Sequence, residues 1–261
     1  MYPEKITTVA LFCITLFFCP FVKGQYTVNK AHSHNDYKQP FPFVTAYNAG
    51  FGSIEADVYL CHDSLLVAHS EEELSPERSL ENLYLRPLME HIKENNGTPY
   101  QEKGKVLQLL IELKSSPDIE LRAIDTLFKK YPLIRNNRSI TILFTGRRPS
   151  NEAMISAPSY MYFDGAPEEQ YNATAEKRIK LYSDDFSRYT QWKGIGILTK
   201  GDFDKLEAVV RKYHAQYKLF RFWGAPDNIT TWKLMENLGV DYINTDHIND
   251  LKNFLEEKHS K

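Results

Sequence analysis

Two histidines, His32 and His34, stand one residue apart in the stretch KAHSHNDY. Further along, GSIEADVYL carries Glu55 and Asp57, SLLVAH ends on His69, and LIELK carries Glu112 and Lys114. Residues two apart in a strand point to the same side. Two carboxylates turned toward the inside of a fold are costly unless something cationic binds them. Glu55, Asp57 and Glu112 are hard oxygen donors, which suit Ca²⁺ or Mg²⁺ rather than a thiophilic metal. Histidines with no cysteine or activated serine beside them suit general acid and general base work. Lys114 adds positive charge where a phosphate would sit. A divalent cation, a lysine and paired histidines form a plan for phosphoryl transfer, in which charge stabilisation and positioning do most of the work.

These residues need a scaffold that brings their segments together. Apolar runs of strand length alternate with segments of helical spacing. The strands expected are QYTVNKAH (25–32), GSIEADVYL (52–60), KVLQLLIELK (105–114), SITILFTG (139–146), SYMYFDG (159–165), KRIKLYS (177–183), KLFRFWG (218–224) and VDYINTD (240–246). Helices are expected over 79–94, 118–131, 202–217 and 228–239. Strands alternating with helices argue for a parallel sheet, and eight such units in this length suit a (β/α)8 TIM barrel of the α/β class. An open doubly wound sheet is the alternative, but no Gly-x-Gly-x-x-Gly turn follows the first strand, which weakens a dinucleotide reading. In a barrel, catalytic groups gather at the C-terminal ends of the strands, which is where His32, His69, Glu112 and Lys114 fall.

The first 24 residues read differently from the rest. Lys5 precedes an apolar run, ITTVALFCITLFFCPFV, and KGQ follows. A charged start, an apolar stretch and a small residue before a cut make a secretory signal, and the run is short of the ~20 residues of a spanning helix. Residues 1–24 are therefore expected to be a signal peptide. The remaining domain, 25–261, would be secreted or periplasmic with no stable membrane insertion. Cys13 and Cys19 would leave with the signal, so Cys61 alone remains and no internal disulfide can form. The full chain carries a net charge of −2, and no basic excess points to nucleic acid. Sequons at Asn96, Asn137, Asn172 and Asn228 matter only in a host that glycosylates exported chains.

The strand-end His32, the GSIEADVYL…LLVAH segment, LIELK and the terminal GVDYINTD together resemble the glycerophosphodiester phosphodiesterase family of the phospholipase C-like phosphodiesterase barrels. The likeness runs from residue 31 to 246. It implies that His32 and His69 serve as general acid and base, in an order left open, and that Glu55, Asp57 and Glu112 bind one divalent cation. It also implies that Lys114 assists the phosphate, and that the substrate is a small-molecule or lipid-headgroup phosphodiester. In related barrels the nucleophile is often the substrate's own neighbouring hydroxyl. One departure stands out. The family reads His-Arg-Gly where this chain reads HSHN, with Ser33 in place of the arginine. The HNDY variant is similar to the "altered inheritance of mitochondria" homologue branch, and sphingomyelinase D-like barrels also lack that arginine. Arg147, in FTGRR, is a candidate replacement cation, and Trp223 a candidate floor for the substrate pocket. The lost guanidinium favours a diester with a larger organic part, such as a lysophospholipid or phosphoinositide headgroup.

Two rivals compete with this reading. His-x-His at the first strand end also opens zinc-dependent amidohydrolase-like and phosphoesterase sites, in which His32, His34 and Asp246 would share a zinc ion. Later strand ends lack the further histidines such a site needs, since His91 and His214 fall in helices. The other rival is a secreted binding barrel without activity. Asn35, Asp36 and Asp164 are further candidates for supporting roles around the mouth.

Overall fold

The computed structural model describes residues 26–257. The expected signal peptide lies outside them. Nine strands make one sheet: β1 Ala31–Ser33, β2 Ser53–Cys61, β3 Ser64–Val67, β4 Leu107–Leu113, β5 Ile140–Gly146, β6 Met161–Gly165, β7 Ile179–Asp185, β8 Leu219–Trp223 and β9 Ile243–Thr245. Eight of them run parallel in the order β8-β7-β6-β5-β4-β2-β1-β9, while β3 folds back antiparallel on β2. A parallel bridge between Arg221 and Tyr242 joins β8 to β9 and completes the ring. The helices that follow the strands are α1 Val44–Asn48, α2 Arg86–Glu94, α3 Pro117–Phe128, α4 Pro132–Arg135, α5 Asn151–Ser156, α6 Ala173–Glu176, α7 Lys200–His214, α8 Ile229–Leu238 and α9 Ile248–Glu257. This is the (β/α)8 TIM barrel.

Strand alternation divides the residues between two environments. On β2 and β4 one set, Ile54, Ala56, Val58, Leu109, Ile111 and Leu113, packs outward and is fully buried in the main core beneath the helices. The other set points into the barrel. Leu110, Leu143 and Leu181 form a small apolar plug there. Many of the other inward positions are polar, among them Ser53, Glu55 and Asp57 on β2, Glu112 on β4, Asp164 on β6, Ser183 on β7 and Arg221 on β8, all but Glu112 almost wholly buried. Helix starts are set by side-chain caps: Thr199 accepts from the Asp202 amide before α7, and Asn228 from the Thr231 amide before α8.

The first strand is shorter than its sequence suggests. Residues Val28–Lys30 form a 3-10 turn and only Ala31–Ser33 pair as strand. The Thr27 side chain accepts from the Asn29 amide, a local bond that competes with the sheet ladder. The helix expected over 79–94 begins with a π-helical turn at Glu81–Leu85 before α2. The helix α9 was not foreseen, and it closes the last unit.

Candidate active site

Glu55, Asp57 and Glu112 each place a carboxylate oxygen within 4.8 Å of the other two. They come from adjacent strands in register, with Asp57 beside Glu112 on the parallel β2–β4 ladder. Lys114 follows β4 and its ammonium lies 2.8 Å from both Asp57 Oδ2 and Glu112 Oε1. Burial and the neighbouring Glu55 and Glu112 charges push the Asp57 carboxyl up to about 7, against the pull of Lys114. Burial and Glu55 likewise raise Glu112. Burial alone would lower the Lys114 ammonium, but its bonds to the two carboxylates hold it above its ordinary range.

Across the barrel, Arg221 supplies a guanidinium that is 3% exposed. It stands 2.8 Å from His32 Nε2, 3.6 Å from Glu55 Oε2 and 3.7 Å from Asp164 Oδ2. Asp164 also accepts from Thr145 Oγ1 at 2.8 Å and from the Ser183 hydroxyl. A guanidinium can only donate. The Arg221 contact therefore puts the lone pair of His32 on Nε2 and its proton on Nδ1, which donates to Ser53 Oγ at 2.7 Å. Burial first, and Arg221 second, lower the His32 pKa to about 4, so the ring is neutral at pH 7. Glu55 Oε2 lies 2.7 Å from the same Nε2. That contact sets two acceptors against each other.

These observations test whether a divalent cation fits. Four carboxylates (Glu55, Asp57, Glu112 and Asp164) face two cations, Lys114 and Arg221, inside the barrel. The shortfall is two positive charges, and unpaired buried charge is expensive. The Asp57 Oδ1 atom is buried and has no hydrogen-bond partner among the described residues. The donors are all carboxylate oxygens, the set that hard cations take. A divalent cation would neutralise the excess, take the free oxygen and draw Glu55 away from the His32 lone pair. The residues present fit the group.

His69 follows β3 at the opposite side of the cluster and is half-exposed. Its Nδ1 lies 3.1 Å from the Tyr37 hydroxyl and 3.6 Å from Asp57 Oδ2. Tyr37, in turn, stands 2.8 Å from Asp57 Oδ2 and 2.7 Å from Asn35 Oδ1. Burial and the Asp57 charge raise its pKa, so the phenol keeps its proton. Tyr37 was not among the residues the sequence singled out, although it sits in the HNDY motif. Asp36 of the same motif has a structural task. It accepts from Ser33 Oγ at 2.8 Å, from the Phe43 amide at 2.5 Å and from the Tyr84 hydroxyl at 3.1 Å, which clasps the β1–α1 loop.

The other candidates are distributed as follows. Trp223 ends β8 in the same facing as Arg221 and stands at the mouth, 44% exposed. Arg147 lies on the exposed rim after β5, where its charge acts on Glu120. The guanidinium beside the cluster belongs to Arg221, so the cation absent after His32 has a counterpart on a distant strand. The cation expected of Arg147 is thus present in Arg221. His34 pairs with Asp246, Nδ1 to Oδ1, at 2.8 Å. His32, His34 and Asp246 do not form a ligand set, and among the described residues the Glu55, Asp57 and Glu112 group alone has metal-ligating spacing. The zinc reading therefore lacks its site.

Gly146 shows how closely the backbone is cut to this site. It ends β5 with φ +79°, and a Cβ there would lie 2.4 Å from Glu112 Cγ. Gly146→Ala should move Glu112 as well as strain the turn. The expected result is at least about a tenfold loss in divalent-cation affinity, by analogy with disturbing a ligand's supporting shell. Calorimetric titration would show it, and unchanged affinity would mean that Glu112 is not a ligand.

The AIM6-like phosphodiesterase domain matches residues 22–164, and the glycerophosphoryl diester phosphodiesterase family matches residues 220–248. Altered inheritance of mitochondria protein 6 of Eremothecium gossypii is 27% identical over 281 residues, covering 87% of this chain and 69% of its own. The homologue from Arthroderma benhamiae is 29% identical, covering 86% of this chain and 83% of its own. Among solved structures, a glycerophosphodiester phosphodiesterase from Parabacteroides distasonis superposes with a TM-score of 0.57 at 14% identity, over 88% of this chain and 98% of that one. A phosphodiesterase from Oleispira antarctica, solved in complex with the product sn-glycerol-3-phosphate, gives 0.53 at 12% identity, over 87% and 96%. At those identities the structural likeness speaks for the fold. The family match spans more than half of the sequence and carries the Glu-x-Asp and Glu-x-Lys strands, so the chain belongs to the AIM6-like phosphodiesterase domain family and is a phosphodiesterase hydrolase of the glycerophosphodiester phosphodiesterase type.

Proposed function

We propose that the chain hydrolyses a glycerophosphodiester or phospholipid-type phosphodiester with one bound Ca²⁺ or Mg²⁺, using His32 as general base and His69 as general acid. The observation that carries this reading is the three-carboxylate cluster flanked by Lys114 on one side and by Arg221 and a neutral His32 on the other. Glu55, Asp57 and Glu112 would hold the cation, which supplies charge for the non-bridging phosphate oxygens. Lys114 and Arg221 donate to the same phosphate from two sides. His32 is already neutral, and once Arg221 turns its donor from Nε2 to the phosphate and Glu55 turns to the cation, that lone pair takes the proton of the attacking water or hydroxyl. The Ser53 hydroxyl keeps the ring's other proton in place. His69 is open to solvent beside Asp57, where a leaving oxygen can reach its proton. Trp223 and the rim arginine Arg147 contact the organic part of the substrate. The glycerol phosphate held by the Oleispira phosphodiesterase supports a small diester as the substrate class. Residues 1–24 are read as an export signal, which would place the domain in a secreted or periplasmic setting.

The roles of the two histidines can be separated by the leaving group. Protonation matters for an alcohol and hardly at all for p-nitrophenolate. His69→Ala should lose at least about a hundredfold turnover of glycerophosphocholine but keep most of its activity on a p-nitrophenyl phosphodiester. His32→Ala should lose both, and each variant should still bind one divalent cation by calorimetry. If His32→Ala emptied the metal site, the histidine would be a ligand and the assignment would be wrong.

A further inference from the structure

We propose that the mouth of the barrel docks on a lipid surface through an apolar arc centred on Ile195 and Ile197, so that the site draws its diester from a membrane interface. This rests on the phosphodiesterase reading above and specifies where the substrate lies. Ile195 is 84% exposed and Ile197 is 94% exposed. Both sit in the β7–α7 loop, in the sequence Trp192-Lys-Gly-Ile-Gly-Ile. The loop is held in shape. Gly194 and Gly196 take φ +80° and +74°, which other residues rarely adopt. A Cβ on Gly194 would lie 2.3 Å from Asn228 Nδ2 and 2.9 Å from Thr231 Oγ1, so the loop packs on the start of α8. The Trp192 indole donates to the Gly196 carbonyl at 3.3 Å. Two isoleucines are thus fixed outward on a braced turn, a cost that a chain with no apolar partner would have no reason to bear.

The position of the loop narrows the partner. In the ring of strands β7, β8, β9 and β1 are neighbours. On this arc the C-terminal face also exposes Trp223 at the end of β8, Ile229 (54%) at the start of α8 and Phe41 (70%) in the β1–α1 loop. These are tips on separate loops around an opening. A protein or a second copy seated across them would cover the mouth and shut the site. A bilayer would bury the tips and present its headgroups to the opening. The charge pattern agrees. Exposed Lys38 and Lys193 stand on the same two loops as Phe41 and Ile195, where cations favour anionic lipid. Lys233 adds a third cation in the groove beneath Ile195, which it shares with Asp227, Asp250 and Glu257, while Asp246 pairs with His34.

The test uses vesicles of phosphatidylcholine alone and of phosphatidylcholine mixed with phosphatidylserine. The wild-type protein should sediment with vesicles, more strongly with the anionic ones. Ile195→Asp combined with Ile197→Asp should bind at least about tenfold more weakly, because two apolar side chains no longer partition. The same variant should turn over the soluble diester bis(p-nitrophenyl) phosphate at the wild-type rate, which also shows that it is folded. Ile197→Trp should bind as well as or better than wild type. The proposal is overturned if the wild type binds neither vesicle, or if the double aspartate variant binds equally well. It is also overturned if sedimentation velocity reveals a dimer that the double variant loses, since a second copy would then be the occupant. A wild type that binds vesicles but turns over neither the soluble diester nor a lysophospholipid carried in the vesicles would sink the phosphodiesterase reading while leaving the docking surface in place.

Discussion

Asp57→Asn should abolish turnover, by at least about a thousandfold, in a protein that is no less stable than the wild type in the absence of metal. The first effect follows from geometry. Asp57 offers the buried oxygen that has no other partner, and asparagine removes the charge that would hold a divalent cation. The second follows from the pKa. A carboxyl raised from 3.8 to about 7 in the folded state favours the native protein most below its unfolded value. Its contribution is then lost as pH rises from about 4 to about 7, amounting to a few kcal/mol at most. Asparagine carries no such penalty, and its carboxamide oxygen can still accept from Lys114 and Tyr37. Thermal melts at pH 8 without metal should therefore give a midpoint equal to or above that of the wild type. Saturating Ca²⁺ or Mg²⁺ should reverse the order by stabilising only the wild type, by about 2.7 kcal/mol at a hundredfold excess over Kd. A variant that turned over normally, or gained the same metal stabilisation, would remove Asp57 from the cation site.

Arg221 should behave in the opposite way, with stability and activity falling together. Its guanidinium is enclosed by His32, Glu55 and Asp164. Arg221→Met leaves two buried carboxylates without their cation, a loss on the order of 3–5 kcal/mol. The phosphate also loses a charged donor, which typically costs about 10² to 10³ in turnover. Arg221→Lys restores charge but not the planar fork, and should recover most of the stability and less of the activity. Denaturant titration alongside steady-state kinetics separates the two effects. If Arg221→Met melted like the wild type, the carboxylates would have to be neutral in the native protein and the charge balance would be different.

The sequence made these two residues unequally visible. Glu55 and Asp57 stand two apart in an otherwise apolar strand, so period-two alternation alone places both inside the barrel. Glu112 and Lys114 repeat the pattern on the next strand. Arg221 gave the same signal in a fainter form: one arginine between Phe220 and Phe222, facing the same way as Trp223. Its role is not legible locally, because its partners come from β1, β2 and β6, and a single charge in a strand has no local pair to give it meaning. Arg147 drew attention because it sits in a basic dipeptide after a strand, yet its loop turns it to the outer rim. Tyr37 could not be read from spacing at all. Its hydroxyl reaches Asp57 only because Asp36 clasps the loop through Ser33, Phe43 and Tyr84. Strand and helix order was legible from alternation. The shortening of β1 was less so, because it depends on a Thr27 side-chain bond that outcompetes a strand pairing.

The dependence of turnover on metal bears most directly on the site. Glycerophosphocholine hydrolysis, followed by product identification, should stop when the protein is treated with a chelator. It should return on adding Ca²⁺ or Mg²⁺ and not on adding Zn²⁺, because the group proposed to hold the ion is three carboxylates with no histidine among them. Hydrolysis that persists after exhaustive chelation, or that only Zn²⁺ restores, would contradict the assignment of Glu55, Asp57 and Glu112 as the centre of the reaction.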